Sequence, residues 1–146
     1  MKIVPATILR GNISTAVSLE RLIPEFLQPH TEQEYARRLA LANPLILIAE
    51  VDGLPAGYKV GYDRYRDGSY YSWVGGVLPT FRRQGIAEKL ADAQEDWAAS
   101  QGHTRIILKT QEKYSGMIAF AQKRGFILIN VDVTEKGEVL VLEKKL

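Results

Sequence analysis

Two adjacent arginines, Arg82 and Arg83, stand between an apolar run that ends at Leu78 and a run that opens Gly85-Ile86-Ala87. The apolar residues before Pro79 suit a buried strand, and an amphipathic helical period starts near Gly85. A loop between strand and helix can aim several backbone N–H groups into one concavity at the positive end of the helix dipole. Gly85 and Ala87 keep bulky side chains out of that space. The chemistry this suits is the binding of an anion, most simply a phosphate or pyrophosphate.

Other chemistries are excluded or unsupported. There is no Cys, which removes disulfides, thiolate metal sites and cysteine nucleophiles. The sequence suggests no metal set, and His30 and His103 have no evident partner, so neither receives a role. The net charge is +2 and the basic residues are spread, with adjacent pairs at Arg37-Arg38, Arg82-Arg83 and Lys144-Lys145. A nucleic-acid binder would carry a denser Lys/Arg stripe with interleaved aromatics, so an anionic small molecule is the better partner. No run approaches the roughly 20 apolar residues of a membrane span, and no leader is evident, so the chain reads as a cytoplasmic protein without a membrane partner. Its 146 residues, 46% hydrophobic and 25% charged, fit one globular domain over residues 1–146.

The elements that must position the loop follow from period and punctuation. Lys2 to Leu9 reads as an opening strand broken by Gly11-Asn12. Asn12 or Ser14 can cap a helix to about Leu22, and Thr31 with Glu34 makes a capping box for a second helix that Asn43-Pro44 closes. Leu45 to Val51 is too short and too continuously apolar for an exposed helix, and Asp52-Gly53 is a hairpin signal. From Ala56 to Tyr65, Tyr58, Val60 and Tyr62 share one face and Gly57, Lys59, Gly61 and Asp63 the other. Asp67-Gly68 turns the chain into Ser69 to Leu78, which completes an antiparallel meander. Gly85 to Gln101 is the clearest helix, with Ile86, Leu90, Ala93 and Trp97 at helical spacing and Gly102 at its end. Ile106 to Leu108 is then a buried strand parallel to the one before the helix. Ser115 can cap a last helix to Gly125, and Phe126 to Val133 with Val139 to Glu143 forms a closing hairpin. The order is β-α-α-β-β-β-α-β-α-β-β, an α/β (α+β) arrangement with a mixed central sheet of about seven strands and helices on both faces.

This order resembles the GNAT superfamily of acyl-CoA-dependent N-acetyltransferases over nearly the whole chain. Val77-Leu78-Pro79-Thr80-Phe81-Arg82-Arg83-Gln84-Gly85-Ile86-Ala87 looks like the family's Val-x-Pro strand end followed by Arg-x-x-Gly-x-Ala. Met117 to Phe126 is similar to its later helix ending in Gly-Phe, and Leu142-Glu143-Lys144-Lys145-Leu146 to a common family ending. The resemblance implies a sheet splayed between its fourth and fifth strands, with Gly75-Gly76 suited to a bulge there. It also implies acetyl-CoA as co-substrate, with coenzyme A binding through its pyrophosphate on Arg82, Arg83, Gln84, Gly85, Ile86 and Ala87. The pantetheine arm would lie along Gly76, Val77 and Leu78, and Lys113 or Lys123 would reach toward the nucleotide.

The reaction implied is direct transfer of an acetyl group to a primary amine of a small molecule or peptide. Such an amine must lose a proton before attack, the thioester oxygen must be stabilised, and the thiolate must be protonated. The family's usual tyrosine for that last step falls on Ala121, a departure, and Tyr114 is the neighbouring candidate. Val74 occupies the strand position where some members carry a basic glutamate, leaving Glu25, Glu50 and Glu112 or a water chain. The acceptor would sit opposite the donor, against Glu25, Phe26, Tyr71 and Trp73, with Tyr35, Tyr62 and Tyr70 near. The missing tyrosine keeps a non-catalytic acyl-CoA sensor as the alternative. A homodimer through the last strand or the first helices is the remaining partner suggested.

Overall fold

The two Asp-Gly turns and the run of alternating apolar residues between them generate the centre of the fold. The computed structural model describes residues 5–146. Its elements are β1 (Thr7–Arg10), α1 (Ile13–Arg21), α2 (Glu32–Leu39), β2 (Ala42–Val51), β3 (Leu54–Asp63), β4 (Ser69–Val77), α3 (Ile86–Ser100), β5 (Arg105–Thr110), α4 (Ser115–Lys123), β6 (Ile127–Thr134) and β7 (Gly137–Lys145). The part of the expected opening strand before Pro5 lies outside the described residues; the strand itself starts at Thr7.

One seven-stranded sheet runs β1-β2-β3-β4-β5-β7-β6. The β4–β5 pair is parallel and the other pairs are antiparallel. Asp52 and Gly53 both have positive φ, 51° and 78°, the backbone a two-residue hairpin between twisted strands requires. The Asn12 side chain caps α1 by accepting from the Thr15 N–H at 2.9 Å, and Thr31 caps α2 by accepting from the Glu34 N–H at 3.1 Å. Helices α1 and α2 cover a core on one face built from Tyr58, Val60, Tyr62, Tyr71 and Ile107. On the other face Ile86, Leu90 and Ala98 of α3 and Ala121 of α4 pack on Leu45, Tyr70, Ile106 and Leu142.

Pairing between β4 and β5 covers only Ser69 to Ser72 against Arg105 to Leu108. From Val74 to Val77, β4 is paired to β3 alone, so the sheet splits where the resemblance implies. The bulge lies elsewhere than expected. Pairing jumps from Val60↔Val74 to Gly61↔Ser72, which leaves Trp73 as the extra residue, while Gly75 and Gly76 stay in register with Lys59 and Tyr58. Those glycines serve close approach instead. A Cβ on Gly76 would stand 2.6 Å from Cδ1 of Ile23, and one on Gly75 would stand 2.9 Å from the Tyr58 carbonyl oxygen.

Three further expectations are corrected. Helix α2 ends at Leu39, and Asn43-Pro44 lies inside β2 at an irregularity between Ala42 and Leu45, with Asn43 at φ 54°. Proline has no N–H for a sheet ladder, so a strand can hold it only where pairing is interrupted. Ser115 is the first helical residue of α4 rather than its cap; Tyr114 holds the cap position, with no side-chain cap bond. The last strand is not an exposed edge, because β7 inserts between β5 and β6 and the edge falls to β6.

The most constrained backbone contact is at Gly61. A Cβ there would meet the Tyr70 ring at 2.5 Å, the Tyr71 carbonyl oxygen at 2.8 Å and Nε2 of Gln94 at 2.9 Å. Gly61→Ala is expected to destabilise the fold by about 1–3 kcal/mol, because a sheet carbonyl cannot move aside. Gly116→Ala, on α4 with nothing within 4 Å of its Cβ, is expected to be neutral or stabilising by up to about 1 kcal/mol. Urea midpoints measure both, and equal midpoints for the two variants would contradict the packing argument.

Candidate active site

The strand edge freed at Trp73 opens into a cleft of about 1470 Å³. Gly75, Gly76 and Val77 line it from β4, and Arg82, Arg83 and the first turn of α3 line one end. Tyr114 and the start of α4 form the opposite wall, while Glu25, Phe26, His30 and Trp73 line the side next to α1 and α2. The cleft thus gathers most of the residues singled out in the sequence. Tyr71 also lines it, although it is only 5% exposed. Leu78 and Gln84 are not among the lining residues. The Leu78 N–H donates to the Ala56 carbonyl at 2.8 Å, and the amide oxygen of Gln84 is buried without a partner.

A single 3-10 turn, Pro79–Phe81, carries the chain out of β4. Arg83 then takes φ 62° and Gly85 φ 78°, two left-handed residues that reverse the chain into α3. Among the described residues, no protein acceptor takes the N–H groups of Arg83, Gln84, Gly85, Ile86 or Ala87. Open donors at the start of a 15-residue helix give the loop the electrostatics of an anion site. The space beside Gly85 is clear, with nothing within 4 Å of the position of a Cβ.

The two arginines behave differently. Arg82 folds back over the strand end, where its Nε donates to the Val77 carbonyl at 3.0 Å and its two terminal nitrogens grip the Glu25 carboxylate at 2.7 and 2.8 Å. Those hydrogen bonds hold the Glu25 carboxyl below its usual range, although the pair is open to solvent and contributes little stability. Arg83 is exposed.

Strand alternation decides which peptide groups the split exposes. The Leu78 N–H points to β3, so Gly76 also points to β3, while Gly75 and Val77 turn their N–H and C=O groups toward the split. The Val77 carbonyl is taken by Arg82. The remaining groups form an unpaired edge, the condition for a ligand to pair with the main chain.

On the α1–α2 side lies a carboxylate that sequence reading passed over. Glu20 is fully buried. Its carboxylate accepts from the Tyr35 hydroxyl at 2.7 Å, the Tyr58 hydroxyl at 2.9 Å, Nδ1 of His30 at 3.0 Å and the His30 backbone N–H. Burial alone would raise its pKa, but the bonds from His30 and the two phenols outweigh burial and hold it below the usual carboxylate range. Burial pushes both phenols well above theirs. The His30 ring stands 4.9 Å from the ring of Trp73. One signal was available: Glu20 follows Ala16 by four and Val17 by three, which places a charge on the apolar stripe of α1. Its partner, ten residues on in a loop, could not be read from spacing.

The candidate for the acid step and the position of the missing tyrosine separate. Tyr114 is half-exposed, with Nζ of Lys113 over its ring at 5.2 Å. Ala121 is 2% exposed and packs in the core beneath α4. It also lines a small cavity of about 40 Å³ together with Lys59, Gln94 and Arg124. Burial pushes the Lys59 ammonium down to about 8; Glu95 opposes this shift and Arg124 adds to it. Among the described residues no group of three or more acidic, His or Cys side chains could hold a metal ion, and no helix is long and apolar enough to cross a membrane.

Comparisons with known proteins agree with this architecture. The family model described as "Acetyltransferase (GNAT) family" matches residues 17–126. Acetyltransferase ECA0875 of Pectobacterium atrosepticum is 31% identical over 115 residues, 78% of each chain. Among solved structures, the ribosomal-protein-S18-alanine N-acetyltransferase of Escherichia coli superposes with a TM-score of 0.82 at 17% identity, covering 97% of this chain and 94% of that one. Arabidopsis thaliana Naa50, in complex with the bisubstrate analogue CoA-Ac-MVNAL, gives 0.78 at 20% identity, covering 97% and 99%. At these identities the structural likeness is one of fold.

Lys59 supplies a test that is independent of any ligand. Its pKa is lower folded, about 8, than the ordinary 10.5 of an open chain, so the unfolded state binds more protons between those values and stability rises with pH through that window. Below pH 8 the desolvated ammonium costs on the order of 3 kcal/mol. Lys59→Met is expected to be more stable at pH 7 by about 2 kcal/mol and to lose the rise between pH 8 and 10.5, as read by urea unfolding. A wild-type stability that stays flat between about pH 8 and 9.5, below the range where the tyrosines of the unfolded chain ionise, would contradict the burial of the charge.

Proposed function

Since the chain belongs to the GNAT family of acetyltransferases, we propose that it transfers the acetyl group of acetyl-CoA directly to a primary amine of a small molecule or peptide. The observation that carries this reading is the continuity of the open donors: the unpartnered N–H groups of residues 83 to 87 lie at one end of the strand edge that Gly75 and Val77 leave free. A pyrophosphate needs the first and an amide-bearing arm the second. The loop from Arg82 to Ala87 holds the pyrophosphate in this reading, and the arm runs along Gly76 and Val77 beside Leu78. Arg83 is free to face the phosphates, while Arg82 fixes the shape of the loop through Glu25.

The chemistry follows from the walls of the cleft. A thioester lying along β4 presents its carbonyl oxygen to a strand N–H, of which those of Gly75 and Val77 face the split, and such a donor stabilises the charge that develops during attack. The acceptor enters from the α1–α2 side, where Phe26, Tyr71, Trp73 and the Glu25 carboxylate face it. The aromatic walls suit an amine with an apolar or cationic body. Tyr114, on the opposite wall, returns a proton to the departing thiolate.

The second reading, an acyl-CoA sensor without turnover, is favoured only by Ala121, which leaves no phenol at the family's usual place. Thiol release from acetyl-CoA in the presence of an amine panel separates the two: transfer requires amine-dependent release, whereas a sensor binds and releases nothing.

Gly85→Glu sets a carboxylate in the anion site at a backbone φ of 78° and is expected to weaken coenzyme A binding at least 100-fold by calorimetry while leaving the circular dichroism of the fold. Unchanged affinity would remove the pyrophosphate assignment. Tyr114→Phe is expected to lower kcat about 100-fold with coenzyme A affinity preserved; a normal rate across the pH range would show that the phenol has no part in the step.

A further inference from the structure

We propose that Glu20 and His30 form a built base, in which His30 takes the proton from the acceptor ammonium and Glu20 positions the imidazole. The inference rests on the transfer reading and supplies the deprotonating group, for which the strand position at Val74 offers none.

The geometry is that of a base held by a carboxylate. Nδ1 of His30 stands 3.0 Å from a Glu20 oxygen, and the same carboxylate accepts the His30 backbone N–H, so ring and main chain are held together. An ionised carboxylate only accepts hydrogen bonds, so Nδ1 carries a ring proton, and in the neutral ring the lone pair is on Nε2. Among the described residues Nε2 has no protein partner. The ring lines the cleft beside Trp73, the residue after Ser72, where β4 and β5 separate. It is 33% exposed against 0% for Glu20, so the carboxylate is sealed while part of the imidazole is open in the cleft it lines. A histidine serving packing alone would have no need of an open Nε2 on the one wall where an acceptor must approach.

The groups facing the pair are few. Tyr35 from α2 and Tyr58 from β3 donate to the other Glu20 oxygen. Trp73 from β4 covers the ring edge, and Arg38 lies over the indole at 4.6 Å. Glu25 lines the same wall but is engaged by Arg82. The two phenols, the imidazole and the His30 backbone N–H leave Glu20 no capacity for an acceptor, so the carboxylate orients and His30 reacts.

His30 Nε2 removes one proton from R–NH3+ and passes it to solvent. The amine lone pair forms the C–N bond at the thioester carbonyl, and the C–S pair leaves on sulfur. The second proton shed by nitrogen ends on the thiolate.

The test combines kinetics with spectroscopy. His30→Asn keeps an amide N–H near the Nδ1 position for Glu20 but removes the base. The variant is expected to bind coenzyme A within about twofold of wild type, lose about 100- to 1000-fold in kcat/KM and lose the acid limb of the pH profile. Glu20→Gln is expected to shift that limb and lower the rate by a smaller factor. Ring 15N shifts of the wild type, read without any acceptor, are expected to report the Nδ1–H tautomer. A wild-type rate and acid limb in His30→Asn, or an Nε2–H tautomer in the wild type, would overturn the assignment alone. A wild type that binds coenzyme A but acetylates no amine would overturn the transfer reading and this inference with it.

Discussion

Hydrogen bonding along one strand can be completed on both sides or on one, and in β4 it changes from the first case to the second within a single residue. Tyr71 and Ser72 are held between β3 and β5; beyond the bulged Trp73 the strand has β3 alone. The extra residue at Trp73 increases the local twist, and the right-handed twist of a parallel pair then carries the two strand ends apart. Because the same strand feeds the loop before α3, the open main-chain groups of the edge and those of the helix start lie along one path. The cleft is a consequence of pairing geometry and needs no dedicated domain to form it.

The second constraint is electrostatic. A carboxylate sealed from water must find donors, and Glu20 finds them on α2, on β3 and in the connection between α1 and α2. The network therefore fixes the position of that connection against the sheet, including the His30 ring and the backbone on either side. Its cost if broken is asymmetric: removing the carboxylate would leave two buried phenols without acceptors, each a loss on the order of 1–3 kcal/mol. The two walls of the cleft are thus held by different physics, an unpaired strand edge on the donor side and a sealed ionic network on the acceptor side.

Much of the fold was legible in the sequence because local signals and tertiary packing agree there. The Asp-Gly turns, the period of α3, the glycines that end α3 and α4, and the helix crossing that makes β4 and β5 parallel all appear in the structure. The donor end was legible because one stretch carries strand end, loop and helix start. What failed depended on contacts distant in sequence. Asn43-Pro44 reads as a helix stop, yet pairing with β3 draws it into a strand. Gly75-Gly76 reads as a bulge, yet the missing Cβ atoms answer to Ile23 and Tyr58. The insertion of β7 between β5 and β6 has no local signature, and neither does the meeting of Glu20 with His30, whose residue types alone suggest a solvated helix face and a loop.

The insertion of β7 leaves β6 with Ile127, Leu128, Ile129, Val131 and Val133 all exposed on a free edge. Such a strand is a template for further strands, and the polar residues interrupting it are Asn130 and Asp132. Asp132 is partly neutralised by Lys109 at 3.4 Å, so the residue best placed to repel another chain is weakened by its own ion pair. The consequence is one of association: β6 is the edge on which a further strand would pair, and because Thr134 at its end lines the cleft, a strand added there would lie next to the binding site.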